Sequence, residues 1–278
     1  MLHIGRHVSI AGSIDLSFDR ALELGCNAMQ IFVTNPRGWK LSYLGNDAVS
    51  RFRSKAAAAT VRAVAHMPYL PNLASSDKAM RSKSVASLVQ NLERCDALGI
   101  GYLVAHMGSH MGHGKESGLE NITNSINEAL GIRSKCMLLI ENEAGHANSL
   151  GDDLRDMTAV ADAVGGGRLG FCLDTCHLFA AGYDIRSQKA LDRTFEQVDI
   201  GKVHAIHLND AKMGLGSRRD RHANIGFGHI GREGMRSFLS YPGIISKTLL
   251  LETPLGPEIS EKDEITLVRS LAAGQTDS

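Results

Sequence analysis

Eight short apolar runs in this chain end at or beside a polar side chain of the type that binds metal ions or transfers protons. Imidazole and carboxylate are ligands that suit Zn²⁺, and also Mn²⁺ or Fe²⁺. Burying so many polar groups without partners would be costly, so a shared metal site explains them better than packing does. His7 fits the pattern as a supporting group. The nine candidate ligands are His66, His106, Glu141, Asp174, His177, His207, Asp220, His222 and Glu252.

The number and spacing of these ligands indicate more than one ion. Catalytic zinc commonly takes about three protein ligands and a water, so nine ligands would serve three ions, or two ions with spare ligands. Asp174 and His177 can reach one cleft from just past a strand end, and Asp220 and His222 point the same way on an extended loop. Glu141 can bridge two ions because a carboxylate has two oxygens.

A cluster of metal ions favours hydrolysis. Adjacent ions activate water near neutral pH, hold a phosphate and stabilise the leaving oxygen. The sequence has no G-x-S-x-G segment and no base pattern beside its cysteines, so we expect water to be the nucleophile. For any single residue an ordinary alternative stays open. A strand-end histidine is often a hydrogen-bonded core residue, and a strand-end aspartate often caps the next helix.

The elements that must position these residues indicate a (β/α)8 TIM barrel, with one domain over residues 1–278. Apolar runs alternate with helical patterns along the whole chain, and in such a barrel all eight strand ends meet at the face that holds the active site. The expected strands cover residues 2–8, 28–33, 61–65, 102–105, 137–140, 169–173, 203–206 and 249–251. The expected helices cover residues 17–24, 47–59, 77–98, 116–130, 152–164, 187–198, 232–239 and 259–273.

The composition excludes several classes of protein. Zero formal net charge argues against nonspecific polyanion binding by the whole surface, but it leaves a local basic face open. Five scattered cysteines indicate small buried side chains in a reducing compartment, not a zinc knuckle. The sequence shows no leader-like segment and no apolar run of about 20 residues. We therefore expect a cytoplasmic monomer without a membrane partner.

Four segments resemble those of the endonuclease IV family, the apurinic/apyrimidinic endonucleases of DNA base-excision repair. The resemblance extends from the first strand to the last, nearly the whole chain, and the matching segments are long and therefore specific. They are residues 171–184 (FCLDTCHLFAAGYD), 207–212 (HLNDAK), 216–222 (GSRRDRH) and 250–253 (LLET).

This resemblance implies a (β/α)8 barrel with a trinuclear zinc site. It implies that the first zinc takes His66, His106 and Glu141. It implies that the second takes Glu141, Asp174, His207 and Glu252, and that the third takes His177, Asp220 and His222. All nine positions carry the expected residue type, in agreement with the strand-end pattern. We expect Glu141 and Glu252 to serve catalysis as well as binding.

The resemblance also implies a substrate, double-stranded DNA that carries an abasic site. The family cuts the backbone 5′ to the lesion, leaves a 3′-hydroxyl, and removes blocking groups from 3′ ends. It flips the abasic nucleotide out and wedges side chains into the duplex. The implied wedge residues are Arg37, Tyr69 and Leu70. The basic loop residues expected to meet phosphates are Lys212, Arg218, Arg219 and Arg221.

Five positions depart from the family pattern. Arg6 stands where a small residue is usual, Pro68 where Ser is common, and Phe227 where an acidic residue is common. Glu143 and His146 stand where Thr and Gln are usual. None of the five is a metal ligand. The departures put in doubt the grip on DNA, the preference among lesions and the surroundings of the ions.

Two other functions compete with this hypothesis. A sugar isomerase or epimerase on a related barrel would need only one or two ions, so the Asp220 and His222 pair and the wedge loops speak against it. A DNA-binding protein without catalysis is opposed by the complete ligand set. Turnover of a sugar without incision of abasic DNA would favour the first of these alternatives.

Overall fold

Eight parallel strands close into a barrel, which confirms the predicted fold class. The computed structural model describes residues 2–36, 38–39 and 43–274. The barrel strands are β1 His3–His7, β2 Ala28–Phe32, β3 Arg62–His66, β4 Tyr102–His106, β5 Met137–Glu141, β6 Leu169–Asp174, β7 Val203–His207 and β10 Thr248–Leu251. Their order around the barrel is β1, β10, β7, β6, β5, β4, β3 and β2, and β2 pairs with β1 to close the ring.

Helices follow the strands at every position where the sequence predicts one. They are α1 Leu16–Glu23, α2 Asn46–Ala58, α3 Lys78–Leu98, α4 Lys115–Leu130, α5 Leu154–Val164, α6 Thr175–Ala181, α7 Gln188–Phe195, α8 Gly231–Leu239 and α9 Glu261–Ala272. The predicted ends differ from the observed ends by up to three residues, and two predicted first residues, Asp77 and Ser187, are N-caps. Of the described helices, α6 was not predicted. It has seven residues and begins directly at a strand end.

The core has two parts, one on each side of the barrel wall. Alternate residues of a strand face opposite sides of a sheet. On β3, for example, Ala65 packs outward with the large cluster under the helices, while Val64 belongs to a small inner layer. The inner layer takes one residue from seven of the strands, and β1 contributes Gly5 at the matching level. The inner residues are Ala28, Val64, Val104, Leu139, Cys172, Ala205 and Leu250.

The cysteines behave as the sequence predicts for small hydrophobic side chains, since all five are free and buried. Among the described helices, none combines the length and the apolar character that a membrane crossing requires. A cavity of about 780 Å³ lies at the amino ends of the barrel strands, beside Gly101 and Lys135. In barrels of this class that end serves stability, so the chemistry is sought at the opposite end.

Candidate metal centre

A ring of eight polar side chains lies directly above the inner apolar layer. Each follows the inner residue of its strand by two positions, so it points toward the same side of the barrel wall. Six of the eight are predicted ligands, and His7 is the predicted supporting group. Gln30 was missed, although the same two-residue step marks it. The ring consists of His7, Gln30, His66, His106, Glu141, Asp174, His207 and Glu252.

The helix α6 brings a further predicted ligand, His177, over this ring. The Oδ1 atom of Asp174 accepts a hydrogen bond from the backbone N–H of His177 at 2.9 Å, so Asp174 is the N-cap of the helix. The other Asp174 oxygen accepts a hydrogen bond from Asn209 Nδ2 at 2.7 Å. Asp174 therefore caps a helix and also lies among the candidate ligands, and the two roles do not compete.

A short hairpin carries the remaining two predicted ligands, Asp220 and His222. The strands β8 Asp210–Ala211 and β9 His222–Ala223 pair in antiparallel fashion at its base. His222 Nδ1 lies 3.1 Å from the backbone carbonyl oxygen of Glu252, which aims the other ring nitrogen into the cleft. The sequence predicts the loop but not this pairing.

Asp210 fixes the segment that follows the hairpin. Its buried carboxylate accepts hydrogen bonds from four backbone amides of residues 226–231 at 2.9 to 3.1 Å, and from the adjacent amide of Ala211 at 2.8 Å. A side chain at Gly228 would place Cβ 2.4 Å from Asp210 Oδ1, so the loop needs glycine there. The sequence alone does not mark Asp210 as part of the site. The four amides belong to Gly226, Gly228, Ile230 and Gly231.

Two sets of ligand atoms match the second and third zinc sets that the family resemblance implies. In each set all the atoms lie within 4.8 Å of one another. In the smaller set, Asp220 Oδ1 lies 3.3 Å from His177 Nε2 and 3.1 Å from His222 Nε2. The larger set is Glu141, Asp174, His207 and Glu252, and the smaller set is His177, Asp220 and His222.

The first implied set is brought together only in part. His66 Nε2 lies 3.2 Å from Glu141 Oε2, and these two residues form a close set with His207. His106 Nδ1 lies 3.6 Å from the same Glu141 oxygen, and it lies nearer to Glu143 Oε1, at 2.7 Å. In the described part of the chain, His106 therefore stands at the edge of the centre, turned toward Glu143.

The histidine rings provide a test of whether these residues fit a metal ion. The Nδ1 atom of His66 lies 2.7 Å from the carbonyl oxygen of Met67, which can only accept a hydrogen bond. In the neutral ring Nδ1 must then carry the proton, so a lone pair on Nε2 faces the Glu141 carboxylate. Two acceptors facing each other are repulsive unless a cation lies between them. This arrangement, with its nitrogen and oxygen donors, fits Zn²⁺, Mn²⁺ or Fe²⁺.

The pKa values of His106, His177, His207 and His222 are raised and those of Glu141, Asp220 and Glu252 are lowered, whereas burial lowers the pKa of His66. Burial alone would lower the pKa of His222, but the carboxylates of Asp174 and Asp220 outweigh burial and raise it to about 9. Burial would raise the pKa of Glu141, but His207 and His106 hold it well below its usual range. Without a metal ion these carboxylates favour protonation of the imidazoles whose pKa is raised, and an ion would take the place of those protons.

Gln30 and Asn209 hold two of the candidate ligands in place. Gln30 Nε2 donates to Glu252 Oε1 at 2.6 Å, and Gln30 Oε1 lies 2.8 Å from His207 Nε2. Asn209 Oδ1 accepts the backbone N–H of Glu252 at 2.8 Å. Partners of this kind orient metal ligands and set their basicity. In the sequence, Gln30 is marked only as a lone polar residue in an apolar strand.

The predicted DNA-contact residues that the structure describes lie after β3 and in the hairpin that carries Asp220 and His222. Tyr69 is 61% exposed and Leu70 is 44% exposed, and the Tyr69 ring centroid lies 5.5 Å from that of His66. Beside Tyr69 opens a cavity of about 320 Å³ that His7, Phe32 and Glu252 also line. Arg37 lies outside the described residues. The basic residues Lys212, Arg218, Arg219 and Arg221 are all exposed.

Two of the five residues that depart from the family pattern, Arg6 and Phe227, can be located relative to the cleft. Arg6 is 4% exposed, and its guanidinium reaches Glu261 at 3.0 Å and the carbonyl oxygen of Thr253 at 3.1 Å. It ties β1 to α9 beneath the cleft and does not project toward solvent. Phe227 is 47% exposed on the loop that Asp210 fixes.

Residues 18–270 match the model of the family described as xylose isomerase-like TIM barrel. The chain is 44% identical to the probable endonuclease 4 of Methanoculleus marisnigri, over 98% of this chain and 99% of that protein. The crystal structure of endonuclease IV from Thermus thermophilus superposes with a TM-score of 0.86 at 36% identity, covering 98% of this chain and 99% of that one. A D-tagatose 3-epimerase-like protein shares the fold, with a TM-score of 0.74 at 18% identity over 99% of this chain and 97% of that one.

Proposed function

The chain belongs to the endonuclease IV family and is therefore a nuclease, and we propose that it repairs DNA by hydrolysing the phosphodiester bond 5′ to an abasic site. The products are a 3′-hydroxyl end and a 5′-deoxyribose phosphate end, and the same site removes blocking groups from 3′ ends. We also propose that it acts as a monomer and as one domain, with three zinc ions per chain.

The observation that carries this proposal is the convergence of ligand atoms from the strand ends, α6 and the hairpin. The family resemblance supplies three ligand sets by sequence position alone. Two of those sets, built on Glu141 and on Asp220, are close sets in the folded chain. A sugar isomerase or epimerase that needs only one or two ions would not require the additional ligands of the hairpin, Asp220 and His222.

Glu141 is placed to link two of the sets. Its Oε2 atom faces His66 at 3.2 Å and its Oε1 atom faces His207 at 2.7 Å, so each oxygen serves one side. Both the Glu141 and the Glu252 side chains point into the cleft, but Glu252 is the more exposed of the two. Glu252 is therefore the carboxylate nearer to an entering phosphate. Zinc ions held here would polarise that phosphate and activate water.

The exposed residues around the cleft would supply the grip on DNA. Tyr69 and Leu70 can fill the space that a flipped nucleotide leaves in the duplex, because both side chains project from the rim. Lys212, Arg218 and Arg219 can pair with phosphates on either side of the lesion. Incision of a duplex that carries one synthetic abasic site tests the proposal. A product cut 5′ to the lesion is expected, and turnover of ketose sugars without incision would contradict it.

Replacing Tyr69 and Leu70 together with alanine should weaken duplex cleavage but not metal chemistry. Losing two wedge contacts of about 1–3 kcal/mol each predicts a fall in kcat/KM of about 30-fold or more. Hydrolysis of a small phosphodiester such as bis(4-nitrophenyl) phosphate should stay unchanged, since it needs no wedge. Leu22→Ala on α1, which removes a 51% exposed leucine far from the cleft, is the matched control. Equal losses on the duplex and on the small ester would argue against a wedge.

Zinc affinity should rise with pH between 6 and 9. Although burial opposes it, neighbouring carboxylates raise the pKa values of His106 and His222 to about 9 in the metal-free protein. Below that pH zinc must displace a proton from each ring, which costs about tenfold in affinity per pH unit for each proton displaced. Above pH 9 the dependence should flatten.

Competition with a chromophoric chelator of known proton affinity measures this dependence. The exposed His229→Gln variant should follow the same curve as the parent protein. Affinity that does not change from pH 6 to pH 9 would show that these rings do not bind the ion.

A further inference from the structure

Glu143 reaches the one predicted ligand that stands at the edge of the centre. Its Oε1 atom lies 2.7 Å from the buried Nδ1 atom of His106, nearer than Glu141 Oε2 at 3.6 Å. The Glu143 side chain is only 15% exposed, so it stays in the cleft. The backbone N–H of Glu143 donates to the carbonyl oxygen of Gly151 at 3.0 Å, which fixes the segment that carries it.

The other four histidine ligands share one arrangement. In each, one ring nitrogen faces a carboxylate of the centre, and a protein oxygen lies 2.7 to 3.1 Å from the other ring nitrogen. Such an oxygen fixes the tautomer and raises the basicity of the nitrogen that faces the metal. The pairs are His66 with the carbonyl of Met67, His177 with that of Asn142, His222 with that of Glu252, and His207 with Oε1 of Gln30.

We propose that Glu143 is a positioning residue for His106, one whose carboxylate accepts a hydrogen bond from Nδ1 and so holds the ring at the first metal site. It differs from the other four partners because it is a carboxylate and not a neutral oxygen. A carboxylate polarises the imidazole more strongly and adds negative charge beside the ion. This inference rests on the proposed three-ion function. It concerns a position that departs from the family pattern, since Glu143 stands where Thr is usual.

Metal binding to Glu143 variants tests the inference without relying on activity. Metal-free parent protein, Glu143→Ala and Glu143→Gln are titrated with Zn²⁺ against a chromophoric chelator, and the Co²⁺ forms are compared by visible absorption. Glu143→Ala should lower the affinity for one ion about 10- to 100-fold and leave the other two unchanged. Glu143→Gln should recover most of that loss, because the amide oxygen still accepts from Nδ1. The Co²⁺ band of one site alone should shift in both variants.

The exposed Glu120→Gln variant on α4 is the control, and circular dichroism of the metal-free forms checks the fold. Unchanged affinity in Glu143→Ala would overturn the inference. Tighter binding in Glu143→Ala would also overturn it, because Glu143 would then be competing with the ion for His106. A loss in Glu143→Gln as large as in Glu143→Ala would exclude the hydrogen-bond role. If the parent protein itself does not bind three ions, the proposed function fails and not this inference alone.

Discussion

Glu252→Gln should abolish incision while leaving the barrel folded. The side chain belongs to the larger ligand set, with Oε2 3.4 Å from His207 Nδ1 and Oε1 accepting from Gln30 Nε2 at 2.6 Å. Glutamine has the same shape, so packing is kept, but a neutral amide is a poor ligand for a cation. We expect kcat to fall about 10³-fold or more, which corresponds to ~4 kcal/mol of transition-state stabilisation.

The measurement is kcat on an abasic duplex, with zinc per chain and circular dichroism on the same sample. Glu93→Gln changes an exposed glutamate on α3 in the same way and should behave as the parent protein. Incision by Glu252→Gln at the parent rate would remove Glu252 from the centre and with it the larger ligand set.

Asp210→Ala should loosen the segment that follows the hairpin and with it release one metal ion. The substitution leaves the four amides of residues 226–231 without their buried acceptor, and each unsatisfied amide costs about 1–3 kcal/mol when water cannot reach it. Because water will reach some of them, we expect a loss of about 3–5 kcal/mol in the free energy of unfolding. Asp220 and His222 lie between Asp210 and this segment, so zinc per chain should fall from three to two.

Urea denaturation of the metal-free proteins and elemental analysis of the loaded ones test both parts. Asp77→Ala is the matched control, because Asp77 also accepts two backbone amides, but at the exposed start of α3. That change should lower the free energy of unfolding by only about 1 kcal/mol, and zinc per chain should not change. If Asp210→Ala costs no more than Asp77→Ala, the loop is held by other contacts.

The barrel and most of the centre could be predicted because both depend on a period of two along each strand. Val64, Leu139 and Leu250 face the barrel interior, so the residues two positions later, His66, Glu141 and Glu252, must lie on the same side. The same step leads from Ala28 to Gln30, but Gln30 carries an amide and is therefore not of the acid or imidazole type that marks a metal ligand in the sequence. The short helix α6 was missed as well, although the sequence contains a glycine at its end. In the structure this residue, Gly182, adopts a φ of 107°, as is common for a glycine that ends a helix.

Other parts of the site could not be predicted, because they depend on contacts between distant segments. Four of the hydrogen bonds of Asp210 join it to residues 16 to 21 positions away, and nothing local in the sequence indicates them. The approach of Glu143 to His106 depends on the rotamers of two side chains from neighbouring strand ends. In the sequence Glu143 is visible only as a departure from the family pattern. The role of such a loop residue can be inferred once the structure shows which side chains lie next to it.

Zinc titration of the metal-free protein, with incision of an abasic duplex measured in the same samples, tests the central claim most directly. The claim predicts no cutting without metal, three zinc ions bound per chain at saturation, and cleavage 5′ to the lesion that appears as the sites fill. A fully loaded protein that leaves the duplex intact, or a metal-free protein that still cuts it, would contradict the claim.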